Sequence, residues 1–417
     1  MNLKSKLPTK LQKYASFGVI PKLLLAPLAF LILLGFSLAR PFVHIRLYRM
    51  VDTRIGHLAT NTELVRLNTL ERNLNCTKRV VIVYCSESRY CANRSLRKIF
   101  FRNTLHLYGS LAWIALFLAG AIKMFHIHST IVNKDLLIDR EGLLLDERFN
   151  IPFFSKKEIR VGENFLKSIN VREEKIVCLN VRDEKYLSLT LSQQTEYHNS
   201  RNSEIRSYVK AAEALAEMGY TVFRMGAIVK EPLVSKHPRV IDYATNGMRT
   251  EFLDIYIGAK CKFCVSTGTG WDSIPQIFRR PSMYVNLLPI SAPACVVRDL
   301  VIYPKTLIGL PDQDSLSLSN IFDCELAKSA VLGDYSMAGV EIRDLSSEEL
   351  VEAVTEMAQR VEGTFVETPQ QKEMQAKLKR ILSTHPQLQP SPNYYPIRAQ
   401  FASCFLSRYP NFLDGLE

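Results

Sequence analysis

The chain has 417 residues, with 53 Lys and Arg against 41 Asp and Glu, for a formal net charge of +12. Its hydrophobic fraction of 47% is that of a globular protein long enough for two domains, which excludes a disordered or fibrous chain. The basic excess is concentrated before Met50, where Lys4, Lys6, Lys10, Lys13, Lys22, Arg40, Arg46 and Arg49 flank an apolar segment with no acidic residue among them. A nucleic-acid groove would instead interleave such charges with aromatics on one face, so no nucleic-acid partner is expected.

That apolar segment, Leu23 to Ala39, is uncharged and near the lower bound for crossing a bilayer core of about 30 Å. Three readings compete: a short anchor or half-inserted hairpin, a cleaved signal peptide ending at Ser37-Leu-Ala39, and a buried core helix. Positive charge on both flanks favours uncleaved insertion from the cytoplasmic side. Residues 1–49 are therefore expected to be a membrane-associating leader at the cytoplasmic face of the inner membrane, anchored or monotopic. A strand over Met50 to Thr53 and a glycine turn, Arg54-Ile-Gly56-His57-Leu58, follow, leading into a helix with Glu63 and Leu64. His57 either caps that helix or serves as a general base, with Glu63 as a reserve base. Leu111 to Ile122 reads as a core helix of the first domain.

From Lys175 the pattern becomes that of strands and helices in alternation. Lys175 to Val181 is a β-branched run ending in Arg182 and Asp183, and Glu204 to Met218 has helical spacing closed by Gly219. Thr221 to Phe223 is a further strand, ending in Arg224. Two arginines thus stand at carboxyl ends of strands in one parallel sheet, the edge where open α/β sheets bind ligands. Against these stand surface pairs of Arg182 with Asp183 and of Arg224 with Glu231. Arg201 and Asn202 precede the helix and either cap it or reach a sugar, with capping preferred. Asp242 and Tyr243 end a short apolar segment at the same edge, where they would touch a ribose or base, and Asp254 is read as satisfying a buried neighbour.

The most informative stretch runs from Lys262 to Asn286. Phe263 to Val265 is a buried strand, Ser266, Thr267, Gly268, Thr269 and Gly270 form a small-residue turn, and Trp271 to Phe278 begins a helix. Free N–H groups at such a turn, with the positive end of a helix dipole behind them, suit phosphate. Asp272 in the first helical turn either stabilises the dipole or touches a sugar hydroxyl. The turn lacks the lysine of a Walker A loop. The nine cysteines are odd in number and scattered, which argues for reduced thiols. Cys261 and Cys264 have ligand spacing, yet no second pair follows, so no metal site is expected. Ser346-Ser-Glu-Glu starts a helix, Gln370 to Leu382 gives another, and Pro386, Pro390, Pro392 and Pro396 mark an extended connection.

The block from Asn180 through Pro289, with Val-Arg182-Asp183, Tyr197-His-Asn-Ser-Arg-Asn-Ser-Glu204, Phe223-Arg-Met-Gly226, Ile241-Asp-Tyr-Ala244, Phe252-Leu-Asp-Ile-Tyr-Ile-Gly258 and Ser266-Thr-Gly-Thr-Gly-Trp-Asp272, resembles a group of bacterial glycosyltransferases from surface-polysaccharide gene clusters. The resemblance also takes in Arg54 to Leu64. It is weak between about Leu70 and Phe165 and loose after Asn286. Val-Arg182-Asp183 is also similar to the His-x-Arg strand end of fucosyltransferases, with Asn180 in the histidine's place. The resemblance implies a GT-B α/β architecture of two Rossmann-like domains facing a cleft, plus the N-terminal apolar helix and C-terminal helices. Expected divisions are 1–49, 50–162 on the acceptor side, 163–310 for the nucleotide-sugar, and a helical extension over 311–417 in which Phe401 to Leu406 returns to the first domain.

The activity implied is transfer from a nucleotide-sugar to a glycan or lipid-linked acceptor in bacterial polysaccharide or lipopolysaccharide assembly. The alternatives are an epimerase or hydrolase of the same fold and a non-catalytic carbohydrate-binding protein at the membrane. Under the transferase reading, Arg182, Arg224, Asp242, the Ser266 to Gly270 turn and Asp272 hold the donor, while Gly56 and His57 lie on the acceptor side. Arginines at the leaving diphosphate take the work that metal ions do in other transferases, so metal-independent transfer with no cofactor is expected.

Overall fold

A computed structural model of the chain describes residues 19–75, 78–88, 90–102, 104–122, 128–130, 139, 142–149, 153–190, 196–291, 300–310, 312–388 and 399–416. Lys4, Lys6, Lys10, Lys13, Cys76, Cys295, Pro390, Pro392 and Pro396 lie outside the described residues, as do the side chains of Lys22, Tyr197 and His198. The chain is a mixed α/β protein and divides into unit 1, ending at Leu136, and unit 2, beginning at Leu137.

Unit 1 is built on a parallel sheet of β1 (Val43–Arg49), β2 (Arg79–Ser86), β3 (Leu105–Tyr108) and β4 (His128–Thr130) in the order β3-β2-β1-β4. Alternation along these strands assigns their side chains to two faces. Leu47, Val83 and Cys85, with Ile45 and Leu107, face a core shared with α1 (Val19–Leu38) and α4 (Gly109–Ala121). Tyr48 and Tyr84 point the other way and meet edge to face, 5.8 Å apart. On that side lie α2 (Thr62–Asn75) and α3 (Arg94–Phe101), Phe101 packing on Tyr84.

Two expectations, the first strand and the glycine turn, are corrected here. The strand comes before Met50 rather than at Met50 to Thr53, so Val43–Arg49 is a central strand of unit 1 and not leader. Arg46 and Arg49 read as membrane-flanking charges and hid the apolar alternation of Val43, Ile45 and Leu47. The apolar segment is a helix with Ala29 and Leu33 wholly buried in the core, while Leu24, Leu31 and Leu38 stay 76%, 62% and 70% exposed. Among the described residues no helix is long and apolar enough to cross a membrane. Arg54 to Leu58 is not a glycine turn: Gly56 has right-handed helical angles, and Leu58 N–H donates to the Arg54 carbonyl at 2.9 Å.

Unit 2 carries a seven-stranded parallel sheet in the order β13-β10-β9-β8-β5-β6-β7. Its strands are β5 (Ile176–Asn180), β6 (Thr221–Arg224), β7 (Val240–Ile241), β8 (Phe263–Ser266), β9 (Ser282–Leu287), β10 (Leu300–Pro304) and β13 (Gln400–Phe401). Being covered on both faces, they are continuous apolar runs. Ile176, Cys178, Phe223 and Cys264 face α5 (Lys156–Ser168) and α7 (Glu251–Lys260). Val177, Leu179, Val222 and Val265 face α6 (Val209–Glu217) and α9 (Ser347–Glu362). α5 packs so closely on α7 that a Cβ at Gly162 would meet the Tyr256 ring at 2.2 Å.

The Glu163 boundary therefore cuts α5, which is a helix of unit 2 throughout. Residues 311–417 are not an appended extension either. Thr306–Gly309 (β11) pairs antiparallel with Val340–Arg343 (β12), and Phe401 lies in register beside Ile302. Phe401, Phe405 and Leu406, expected to return to the first domain, belong to unit 2's own core. α9 starts at the expected place, with Ser346 and Glu349 forming a reciprocal capping box.

Candidate functional site

Strand register brings the candidate residues of unit 2 to one edge. β5 lies between β8 and β6, with Asn180 opposite Ser266 and Leu179 opposite Arg224, so the segments leaving all three strands emerge side by side. Their side chains divide into a closed knot and an open set of cations.

The knot is centred on Asp272, which is 2% exposed. Its carboxylate accepts from Ser266 Oγ at 2.7 Å, Asn180 Nδ2 at 3.0 Å and the Thr269 backbone N–H at 2.6 Å. Burial pushes this carboxyl upward, against the downward pull of those hydrogen bonds. Thr269 caps the turn by accepting from Trp271 N–H at 3.1 Å. Gly268 N–H donates to Ser266 Oγ at 3.2 Å and Thr267 N–H to the Asn180 carbonyl at 3.2 Å. Gly268 is needed because its φ is +81°.

The expectation that this turn presents free backbone donors is thereby corrected. The N–H groups of Thr267, Gly268, Thr269 and Trp271 are spent inside the turn, because Asn180, Ser266 and Asp272 supply acceptors. Asp272 organises the turn, and its carboxylate bonds are made to protein groups rather than toward an open side.

The cations are different. Arg224 is 0% exposed, yet its guanidinium makes one contact, Nη1 to Asp242 Oδ1 at 3.2 Å, and its Nε and Nη2 are buried without partners. Arg182 donates from Nε to Asn202 Oδ1 at 3.2 Å, while its Nη2 is buried without a partner. Burial, with the nearby Arg201 guanidinium second, lowers the Arg182 pKa to about 10. Arg201 donates to the Gly268 carbonyl at 3.2 Å. Buried guanidinium N–H groups left unmade are costly, and for Arg182 and Arg224 an anion would satisfy them.

The alternative pairings do not occur. Asp183 accepts from the backbone N–H groups of Lys185 and Lys230, both at 2.9 Å, and Glu231 pairs with Arg206 at 2.8 Å. Arg201 and Asn202 do not cap the helix: Glu204 is the N-cap residue of the Ile205–Tyr208 turn that precedes α6. Asp242 accepts from Arg224, the Leu233 backbone and Thr245, which makes it the holder of Arg224. Asp254 satisfies Arg249 at 2.6 Å, with its own pKa pushed up to about 6 by burial.

Lys305 escaped the sequence reading. It is 6% exposed, donates to the Asn202 carbonyl at 2.9 Å and pairs with Asp344 at 2.6 Å. The available signal was a lysine closing the apolar run of β10, much as Arg182 follows β5 and Arg224 ends β6.

In unit 1, His57 begins a single π-helical turn, His57–Asn61. Such bulges insert an extra residue and are frequent at functional sites. Its Nδ1 lies 3.2 Å from Asn61 Nδ2, and burial, with Arg54 second, lowers its pKa. Glu63 is corrected as a reserve base: it is 1% exposed and both carboxylate oxygens are gripped by Arg66, at 2.7 and 2.6 Å. The sequence carries one Asp-x-Asp triplet, Asp312-Gln313-Asp314, all exposed in the turn after β11 and off the seven-stranded sheet. Among the described residues no group of three or more His, Cys, Asp or Glu gathers as a metal site.

No protein-family model matches the chain, and no curated protein does. Among solved structures it is similar to the ADP-heptose lipopolysaccharide heptosyltransferase II of E. coli, at 11% identity and a TM-score of 0.43, covering 76% of this chain and 99% of that one. It is similar also to the glycosyl transferase family 9 protein of Veillonella parvula, at 10% identity and a TM-score of 0.40, covering 76% and 98%. Scores of this size do not establish a shared fold.

Proposed function

We propose that the chain is a GT-B glycosyltransferase that moves a sugar from a nucleotide-sugar to a glycan or lipid-linked acceptor in bacterial surface-polysaccharide or lipopolysaccharide assembly. The observation that carries this reading is Arg224, wholly buried at a strand's carboxyl end with two N–H positions unpartnered. A donor diphosphate fits the demand, since its oxygens accept forked bonds and its charge offsets the cations. Arg182 and Arg224 grip it, and Arg201 and Lys305 hold the loop beside it. In the transition state the same guanidinium groups offset the charge growing on the departing nucleotide diphosphate. His57 is the group we assign to the acceptor proton. Transfer is metal-independent in this reading, so EDTA leaves turnover unchanged; loss of turnover restored by magnesium or manganese overturns that part.

The test is a panel of nucleotide-sugars scored by thermal stabilisation, followed by turnover with whichever donor binds. Arg182→Ala is expected to abolish turnover with the fold intact by circular dichroism. Near-normal transfer by that variant refutes the donor assignment.

The same reading places the enzyme at the cytoplasmic membrane face through the exposed Leu24, Leu28, Leu31, Leu38 and Phe42. Retention of α1 is supported by Ala29 and Leu33, because cutting at Ala39 would strip buried side chains from unit 1, and a lost buried leucine alone costs about 2–5 kcal/mol. N-terminal sequencing of membrane-fraction protein checks it: a mature chain starting at Arg40 overturns the cytosolic placement.

A further inference from the structure

Three cations stand at strand ends on the edge where the donor site is proposed, and their partners differ. Arg224 ends β6 and meets the Asp242 carboxylate, and Lys305 follows β10 and meets Asp344 at 2.6 Å. Arg182, after β5, is bonded through its side chain to a neutral amide instead, with Nε donating to Asn202 Oδ1 at 3.2 Å. A neutral acceptor turns a guanidinium without cancelling its charge. Among the described residues Arg182 is thus the strand-end cation whose charge no bonded carboxylate offsets.

The backbone of Arg182 is held on both sides, its N–H donating to Thr267 Oγ1 at 2.9 Å and its carbonyl accepting from Ser203 N–H at 3.0 Å. What remains to be set is the rotation of the fork. With Nε taken by Asn202, the edge left for an anion is Nη1 with Nη2, and Nη2 is buried without a partner. Asn202 is held in turn: its Nδ2 donates to Asn199 Oδ1 at 3.3 Å, and its carbonyl accepts from Lys305 Nζ at 2.9 Å. Two of the three donors of that ammonium are therefore spent on protein groups, Asn202 and Asp344. At 6% exposure Lys305 is built as a strut.

We propose that Lys305 is a positioning residue for the donor site: through the Asn202 carbonyl it holds the Asn202 side chain on Arg182 Nε, and so presents the Nη1 and Nη2 edge of Arg182 to the diphosphate. The inference rests on the reading of the arginine cluster as that site, and it gives Lys305 no contact with the anion. A forked bond is directional, so a fork turned away from its anion keeps the attraction of the charge and loses the pair of hydrogen bonds.

The test uses the full chain and has one arm without ligand. With isotope-labelled arginine, the Arg182 Nε–H resonance, identified by its loss in Arg182→Lys, should be sheltered from exchange with water, and Lys305→Met and Asn202→Ala should each broaden or remove it. In the second arm inorganic pyrophosphate is titrated calorimetrically. Each variant should bind about tenfold more weakly than the unaltered chain, and the double variant no more weakly than the weaker single one, because both changes break one chain of contacts. Asn202→Ala, at a half-buried loop position, carries the test if Lys305→Met does not fold. An Arg182 Nε–H signal unmoved by either substitution overturns the role, as do losses that multiply in the double variant, which would put Lys305 on the anion itself. If the unaltered chain binds pyrophosphate and the variants bind it equally well, the positioning role alone is overturned; if the unaltered chain ignores pyrophosphate, the donor reading falls and the role with it.

Discussion

Each unit buries an arginine–carboxylate pair, and the two pairs are made in opposite ways. In unit 1, Arg66 grips Glu63 with two parallel bonds of 2.7 and 2.6 Å, and the carboxylate is sealed at 1% exposure. In unit 2, Arg224 meets Asp242 through a single bond of 3.2 Å and keeps two other N–H positions without partners. A pair that closes on itself contributes to the fold. A pair that leaves buried donors open costs fold stability, and the proposed donor site rests on that cost.

The contrast predicts where each substitution is felt. The largest expected effect is on function: Arg224→Met keeps the side chain's bulk, should lower turnover with the identified donor by about 10²–10³, and should leave unfolding stability unchanged or higher. Urea denaturation beside steady-state kinetics checks both halves, and a variant that unfolds more easily while still turning over would reverse the comparison. Next in size, Arg66→Met strands a buried carboxylate and should cost about 3 kcal/mol of stability by urea titration, with donor affinity unmoved. An intermediate effect is expected for Arg224→Lys, whose ammonium cannot fork, at about tenfold weaker donor binding by calorimetry. The smallest is a matter of pH. Burial favours neutral His57, so its folded pKa lies below the ordinary value of about 6.5, and the acid limb of turnover should fall below that pH. His57→Gln should flatten that limb; a limb that persists in the variant clears His57 of the role.

How far this arrangement could be read from the sequence depended on whether the information was local. Arg182 and Arg224 were visible because each closes a short apolar run, and in a parallel sheet that position fixes the edge. The start of α9 was visible because Ser346 and Glu349 carry the capping box within four residues. The state of the Ser266 to Gly270 turn was half legible: Thr269 and Asp272 form a capping box within four residues, as Ser346 and Glu349 do, whereas the Asn180 acceptor is brought in by β5. Arg201 was misjudged for a related reason. Its loop is turned back by Ser203 N–H donating to the Arg182 carbonyl at 3.0 Å and by Lys305 holding Asn202, contacts from distant strands that outweigh the local preference for a cap. In unit 1, β1 was missed because Arg46 and Arg49, one on each face of the strand, resembled a membrane flank.

The seven-stranded sheet ends on both sides in strands of only two residues, Val240–Ile241 and Gln400–Phe401. An outer strand with a long unpaired ladder is a template on which another polypeptide can extend the sheet, the first step of ordered aggregation. Two-residue borders offer almost no such ladder, and Gln400 beside Phe401 adds a polar group at one of them. The cost falls on assembly: each border is too short to hold itself, so β7 and β13 must be pinned from elsewhere, the first by Asp242 and its bond to Arg224. The β7 margin is thus held by a polar anchor and the β13 margin by the apolar core around Phe401.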